Sequence, residues 1–214
     1  MRKVNNESPF IKIVYYTHPL CPLSWEMQRA WERIIQEFGH LSRFYLCMGN
    51  VADETITALG YEPKKNARDM TCLAVKAASL QSQPAANLYL AYLRQAFMVG
   101  GSDPSSLDTL IEIARHVSRR HPDMLNFQRF FEQFDCAQSR QALFEDRKKN
   151  QINRIVSMPT LTFTFLGKGI KLSGNCSYDS MVEAFQQLSK VATLPMHLSL
   201  SEKMLTYAYP NVRE

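Results

Sequence analysis

Apolar positions along the chain change period twice, and those changes predict the fold. Ile11–Tyr16 is β-branched and aromatic and reads as a strand, broken by Thr17-His18-Pro19-Leu20. From Cys21-Pro22 the spacing becomes helical: Met27, Ala30, Trp31, Ile34, Ile35 and Phe38 recur three and four apart and give one apolar face. Proline suits the first helical turn, where its missing N–H costs nothing, and Gly39 closes the helix. Ser42–Met48 reads as a second strand, completing a β-α-β unit whose crossover should be right-handed.

From about Asp69 to Ile155 the chain reads as helix after helix. Cys72, Val75, Ser79 and Leu80 mark one helix. Pro84 opens the next, carrying Leu88, Tyr92 and Phe97. Gly100–Pro104 is a turn, and Ser106 caps a helix bearing Leu107, Leu110, Ile111, Ala114 and Val117 until His121-Pro122 ends it. Phe127, Phe130, Phe131 and Phe134 stripe a further helix as core. A long polar helix covers roughly 137–153. Strict alternation returns in Thr160–Phe165, followed by a hairpin turn at Gly167-Lys168-Gly169 and a return strand over Ile170–Leu172. Gly174 ends the strand, and Ser177 caps a last helix with Met181, Val182, Phe185 and Leu188. The order β-α-β, helical block, β-β-α predicts an α/β protein: residues 10–66 and 156–190 form a discontinuous sheet domain, 67–155 a helical insertion, and 191–214 a tail without clear period.

Composition narrows the class. The chain has 214 residues, 45% hydrophobic and 21% charged, which is ordinary globular usage. No apolar run approaches the ~18 residues of a membrane span, and Met1-Arg2-Lys3-Val4 leads into no apolar stretch of a secretory signal. The net charge is +5. The Arg119-Arg120 and Arg147-Lys148-Lys149 clusters lack interleaved aromatic platforms, which argues against nucleic-acid binding. The five cysteines, at 21, 47, 72, 136 and 176, are widely spaced, with no Cys-x-x-Cys pair for a zinc site. His116 and His121, five apart, share no helix face. Free thiols in a reducing cytoplasm, mostly buried as small hydrophobes, are the expectation.

One cysteine is placed for chemistry. Cys21 lies where a strand meets a helix, and a helix start carries partial positive charge and unsatisfied N–H groups. A dipole contribution of about 1–2 kcal/mol would lower a cysteine from ~8.5 to ~7.5 and raise the thiolate share at pH 7 from ~3% to ~24%. Ser24, one turn on, is expected to donate a hydrogen bond to the sulfur. His18 is expected to add a cation or a proton relay. Met158-Pro159-Thr160 starts a strand after a long helix; a cis Pro159 there would present the Met158 backbone beside Cys21, ready to pair with an extended substrate. There is no Gly-x-Ser-x-Gly elbow, P-loop or dinucleotide-binding glycine motif.

These residues resemble the DsbA-like branch of the thioredoxin superfamily, especially dithiol-disulfide isomerases of the FrnE type. Cys21-Pro22-Leu23-Ser24-Trp25 stands where that family has Cys-Pro-Trp-Cys-Tyr. Cys72–Ala78 and Tyr89–Phe97 are similar to its helical insertion, and Ser157–Phe163 to its Val-Pro-Thr segment. The resemblance covers about residues 10–190. It implies a thioredoxin-like fold with a DsbA-type helical insertion and a site of Cys21, Pro22, Ser24 and His18, with Met158, Pro159 and Trp25 holding substrate. Ser24 replaces the family's second cysteine, so Cys21 cannot close an internal disulfide. A monothiol oxidoreductase or isomerase is therefore implied, one whose mixed disulfides an external thiol resolves. Protein or small-molecule thiols and disulfides are the implied partners and glutathione the implied co-substrate; no metal, tightly held cofactor, nucleic acid or membrane is implied. Cys47, Cys72, Cys136 and Cys176 are read as structural rather than as remote resolvers. Two alternatives stay open: a glutathione-dependent transferase or isomerase of the kappa type, whose Ser-Pro-Tyr-Ser-Trp is similar at this junction, and a non-catalytic adaptor.

Overall fold

The structure is a computed structural model describing residues 10–50, 67–103 and 106–190. The segments 51–66 and 191–214, assigned above to the sheet domain and the tail, lie outside the described residues. Four strands, β1 (Ile11–Thr17), β2 (Ser42–Met48), β3 (Thr160–Phe165) and β4 (Lys168–Ser173), form one sheet of order β2-β1-β3-β4. β1 and β2 are parallel, as their helical crossover requires, while β3 pairs antiparallel to both β1 and β4. Alternation in β3 buries Leu161, Phe163 and Phe165, and the opposite face of β3 carries Thr162 and Thr164.

The described helices are α1 (Pro22–Glu26), α2 (Gln28–Phe38), α3 (Ala67–Ser79), α4 (Gln83–Met98), α5 (Leu107–Arg120), α6 (Phe127–Gln133), α7 (Ala137–Ile152) and α8 (Tyr178–Lys190). The single helix expected from Cys21-Pro22 to Gly39 is divided at Met27. Its ladder nevertheless continues through Met27 N–H to Leu23 O (3.2 Å) and Trp31 N–H to Met27 O (2.9 Å). Side chains cap the starts where the sequence places cap formers: Ser82 accepts from Ala85 N, Ser106 from Thr109 N, and Asn126 from Arg129 N. The hairpin turn sits one residue earlier than expected. Leu166 and Gly167, with φ of 45° and 79°, make the two-residue connection, and Gly169 pairs with Thr164 inside the ladder. Of the phenylalanine stripe, Phe130 is fully buried, but Phe131 is exposed.

The core joins sheet and helices. Trp31 packs against Tyr15, with ring centroids 4.7 Å apart, and edge-on to Phe44 at 5.4 Å. Its indole N–H donates to Asn87 Oδ1 on α4 (2.7 Å), so the helical block is tied to the sheet by a satisfied buried polar contact. A buried ion pair makes a second tie. Lys76 Nζ on α3 lies 2.7 Å from Asp146 Oδ2 on α7, and that oxygen also accepts from Met48 N at the end of β2 (2.9 Å). Asn150 Nδ2 reinforces the junction by donating to Met48 O (3.0 Å).

Candidate functional site

Strand pairing assembles the site. Thr160, the first residue of β3, lies opposite Tyr16, and Thr17 at the end of β1 lies opposite Met48. Antiparallel pairing therefore delivers the segment before β3 to the same end of the sheet as the turn after β1. Residues 137 apart in sequence meet there: Cys21 Sγ donates to the Met158 carbonyl at 3.7 Å. The Met158–Pro159 peptide is cis, and Pro159 is buried. The Met158 side chain is seated on Gly49, where a Cβ would fall 1.5 Å from Met158 Cε, so the glycine makes room for the thioether.

Cys21 is the N-cap of α1 in extended conformation, with Pro22 at N1. Its backbone carbonyl accepts from Trp25 N (3.0 Å), but its side chain takes no cap hydrogen bond. The expected bonds from helix amides to the sulfur are thus not made, because the thiol turns to Met158 instead. Cys21 is 2% exposed. Ser24 also departs from expectation. Its residue is fully buried and Oγ has no hydrogen-bond partner, so the hydroxyl does not reach the sulfur, while its carbonyl accepts from Tyr15 Oη (3.2 Å). Trp25 is half-buried on the same short helix.

His18 supplies no cation. It is 1% exposed, and Nδ1 accepts from Leu20 N at 3.1 Å. Burial, and then the nearby Arg94, Arg68 and Arg147 charges, lower its pKa to about 3, so the ring is neutral. It shapes the turn through its acceptor nitrogen and its carbonyl, which accepts from Cys21 N (3.2 Å).

All five cysteines are free. Burial pushes Cys47, Cys72 and Cys176 up, consistent with inert core thiols. Cys136 differs. It is partly exposed and N-caps the 16-residue α7, its Sγ accepting from Ser139 N at 3.5 Å. Burial would raise this thiol, but hydrogen bonds from Ser139 lower it on balance. The sequence signal was present, a cysteine before a helix with serine three residues on, the same pattern as at Cys21. A second residue missed by pattern reasoning is Arg94 on α4, fully buried behind the Thr17–Cys21 turn. His116 and His121 both pack on Tyr92.

A mixed sheet, a cysteine capping the helix after β1 and a prolyl turn facing it make a thioredoxin-like fold of the DsbA type, with helices inserted between β2 and β3. The chain belongs to the Thioredoxin family whose model matches residues 15–183. Among curated proteins it is similar to the ClpXP adapter protein SpxH of Bacillus licheniformis, at 25% identity over 83% of this chain and 67% of that protein. Among solved structures it is similar to a candidate protein disulfide isomerase from Nitrosomonas europaea (TM-score 0.69, 16% identity, 85% of this chain, 98% of that one). It is also similar to the cytosolic disulfide reductase DsbM of Pseudomonas aeruginosa, solved alone (TM-score 0.60, 19% identity, 84% of this chain, 99% of that one) and with glutathione. At these identities the solved structures establish the fold.

Proposed function

We propose that this protein is a monothiol thiol-disulfide oxidoreductase or isomerase that works through mixed disulfides at Cys21. The contact between Cys21 Sγ and the Met158 carbonyl carries the reading, because it sets the nucleophile beside a backbone segment suited to pairing with an extended chain. The Cys21 thiolate attacks one sulfur of a disulfide; a Cys21–substrate S–S bond forms, and the other sulfur leaves as a thiolate. With Ser24 where a second cysteine would resolve the adduct, an external thiol attacks it and returns Cys21 to the thiolate. Glutathione is the proposed co-substrate, supported by the reductase DsbM having been solved with it. Attack requires the Met158 segment to move, since Cys21 is almost fully covered. Pro22 sets the helix start, and Pro159 and Trp25 are the proposed walls of the substrate groove. A reducing cytoplasm is the proposed compartment, supported by five unpaired cysteines and the cytosolic relative; among the described residues no helix is long and apolar enough to cross a membrane.

A second reading has its own support. The covered sulfur and the similarity to a ClpXP adapter favour a binding protein that presents a client to a protease without thiol chemistry. Native treatment with oxidised glutathione, followed by peptide mass spectrometry, separates the two. The oxidoreductase reading expects a glutathione adduct on the Cys21 peptide, lost in Cys21→Ala. Modification confined to Cys136 would sink it and leave the adapter.

A further inference from the structure

We propose that Arg94, contributed by the helical block, is a positioning residue for Cys21: its buried guanidinium holds the Thr17–Cys21 turn and keeps a positive charge behind the nucleophile. The inference rests on the thiol reading above. Arg94 is 0% exposed and donates to Gln28 Oε1, Thr17 Oγ1 and the His18 carbonyl (3.2 Å). All three acceptors are neutral, Nε has no partner, and among the described residues no carboxylate pairs with it directly. Burying an arginine this way is costly, since the group cannot shed its proton, so a nearby anion would be favoured.

The forming thiolate is such an anion. The His18 oxygen that accepts from Arg94 Nη2 also accepts from the Cys21 amide (3.2 Å), so the guanidinium and the Cys21 backbone share one acceptor, while Sγ itself turns to the Met158 carbonyl. α1 packs on α4, which carries the arginine. The other ionisable groups around the turn do not replace it. His18 is neutral, and Tyr15 donates to the Ser24 carbonyl. Glu32 on α2 hydrogen-bonds Gln28, whose Nε2 donates to Glu32 Oε1 (2.8 Å), and feels the Arg94 charge without pairing with it; burial still holds that carboxyl above its usual range. Glu26 on α1 accepts from Asn175. Arg147 on α7 is paired with Asp69, and Arg68 on α3 is only partly buried. Arg94 is thus the fully enclosed cation of the group.

Iodoacetamide alkylation, followed on the Cys21 peptide across pH in the full chain and in Arg94→Met and Arg94→Lys, tests the assignment. Arg94→Met is expected to move the midpoint up by about one pH unit, slowing alkylation at pH 7 about tenfold with the high-pH limiting rate unchanged. Arg94→Lys, which keeps the charge but loses the planar fork, should stay within about half a unit of the parent. A merely structural role would change the limiting rate and leave the midpoint alone. An unmoved midpoint in folded Arg94→Met overturns the assignment while the thiol reading stands. A parent whose Cys21 is never alkylated overturns the thiol reading, and this inference with it. If Arg94→Met does not fold, salt decides in the parent: a buried charge leaves the midpoint fixed between about 20 mM and about 1 M NaCl, whereas a rise of half a unit or more credits exposed cations and overturns the proposal.

Discussion

Asp146→Ala is expected to destabilise the protein strongly although the residue lies outside the candidate site. The carboxylate is buried on α7, 2.7 Å from Lys76 Nζ, and its Oδ2 also accepts from Met48 N at 2.9 Å. Truncation strands an ammonium that is itself 7% exposed and leaves a backbone amide without its acceptor. Removing one partner of a buried pair costs about 3–5 kcal/mol, most of it the desolvation of the group left behind. For a chain of this size that is roughly a 6–20 °C fall in Tm, a large part of a typical 5–15 kcal/mol stability. Lys76→Met should cost less, because Asp146 keeps the Met48 amide and has Lys149 Nζ 3.7 Å from Oδ1. The double variant Lys76→Met/Asp146→Leu should recover the part of the loss due to the stranded charge and stay about 1–3 kcal/mol below the parent, because the Met48 amide still lacks its acceptor. Urea melts of the parent, Lys76→Met, Asp146→Leu and the double variant close the cycle. Additive losses, or an Asp146→Ala within about 1 kcal/mol of the parent, would refute the claim that this pair links α3 and α7 to the end of β2.

Two further predictions concern the turn and its serine. The folded His18 pKa, about 3, lies below the ordinary 6.5, so its contribution to stability is fully present above pH 6.5 and is lost as pH falls from 6.5 towards 3. Urea melts at pH 8 and pH 5 should differ by about 2 kcal/mol from this group alone, a difference that shrinks in His18→Asn; an equal loss in the variant would assign it elsewhere. The Ser24 hydroxyl is buried without a partner, so Ser24→Ala should leave Tm equal or higher, whereas a loss above about 1 kcal/mol would reveal a hydrogen bond that the geometry does not contain.

Local chemistry made much of this molecule legible in its sequence. Alternation in Thr160–Phe165, helical spacing from Met27 to Phe38 and cap formers at Ser106 and Ser177 are short-range signals, and the structure places strands, helices and caps there. Cys21-Pro22 at a strand-to-helix junction and Pro159 before a strand were likewise visible, because each depends on its immediate neighbours. What the thiol touches did not follow from them. His18 beside a proline reads as an available ring, yet burial, and after it the α4 arginine, keep it neutral. Ser24 reads as a donor to sulfur, but the sulfur turns to a carbonyl 137 residues away. Lys76 and Asp146 look like ordinary helix-surface charges until α3 and α7 close over β2. Sequence determined where the backbone turns, pairs and caps, because those preferences act within a few residues. Tertiary structure decided which groups are buried, charged or left without a partner, because desolvation and Coulomb forces depend on neighbours brought in from across the fold.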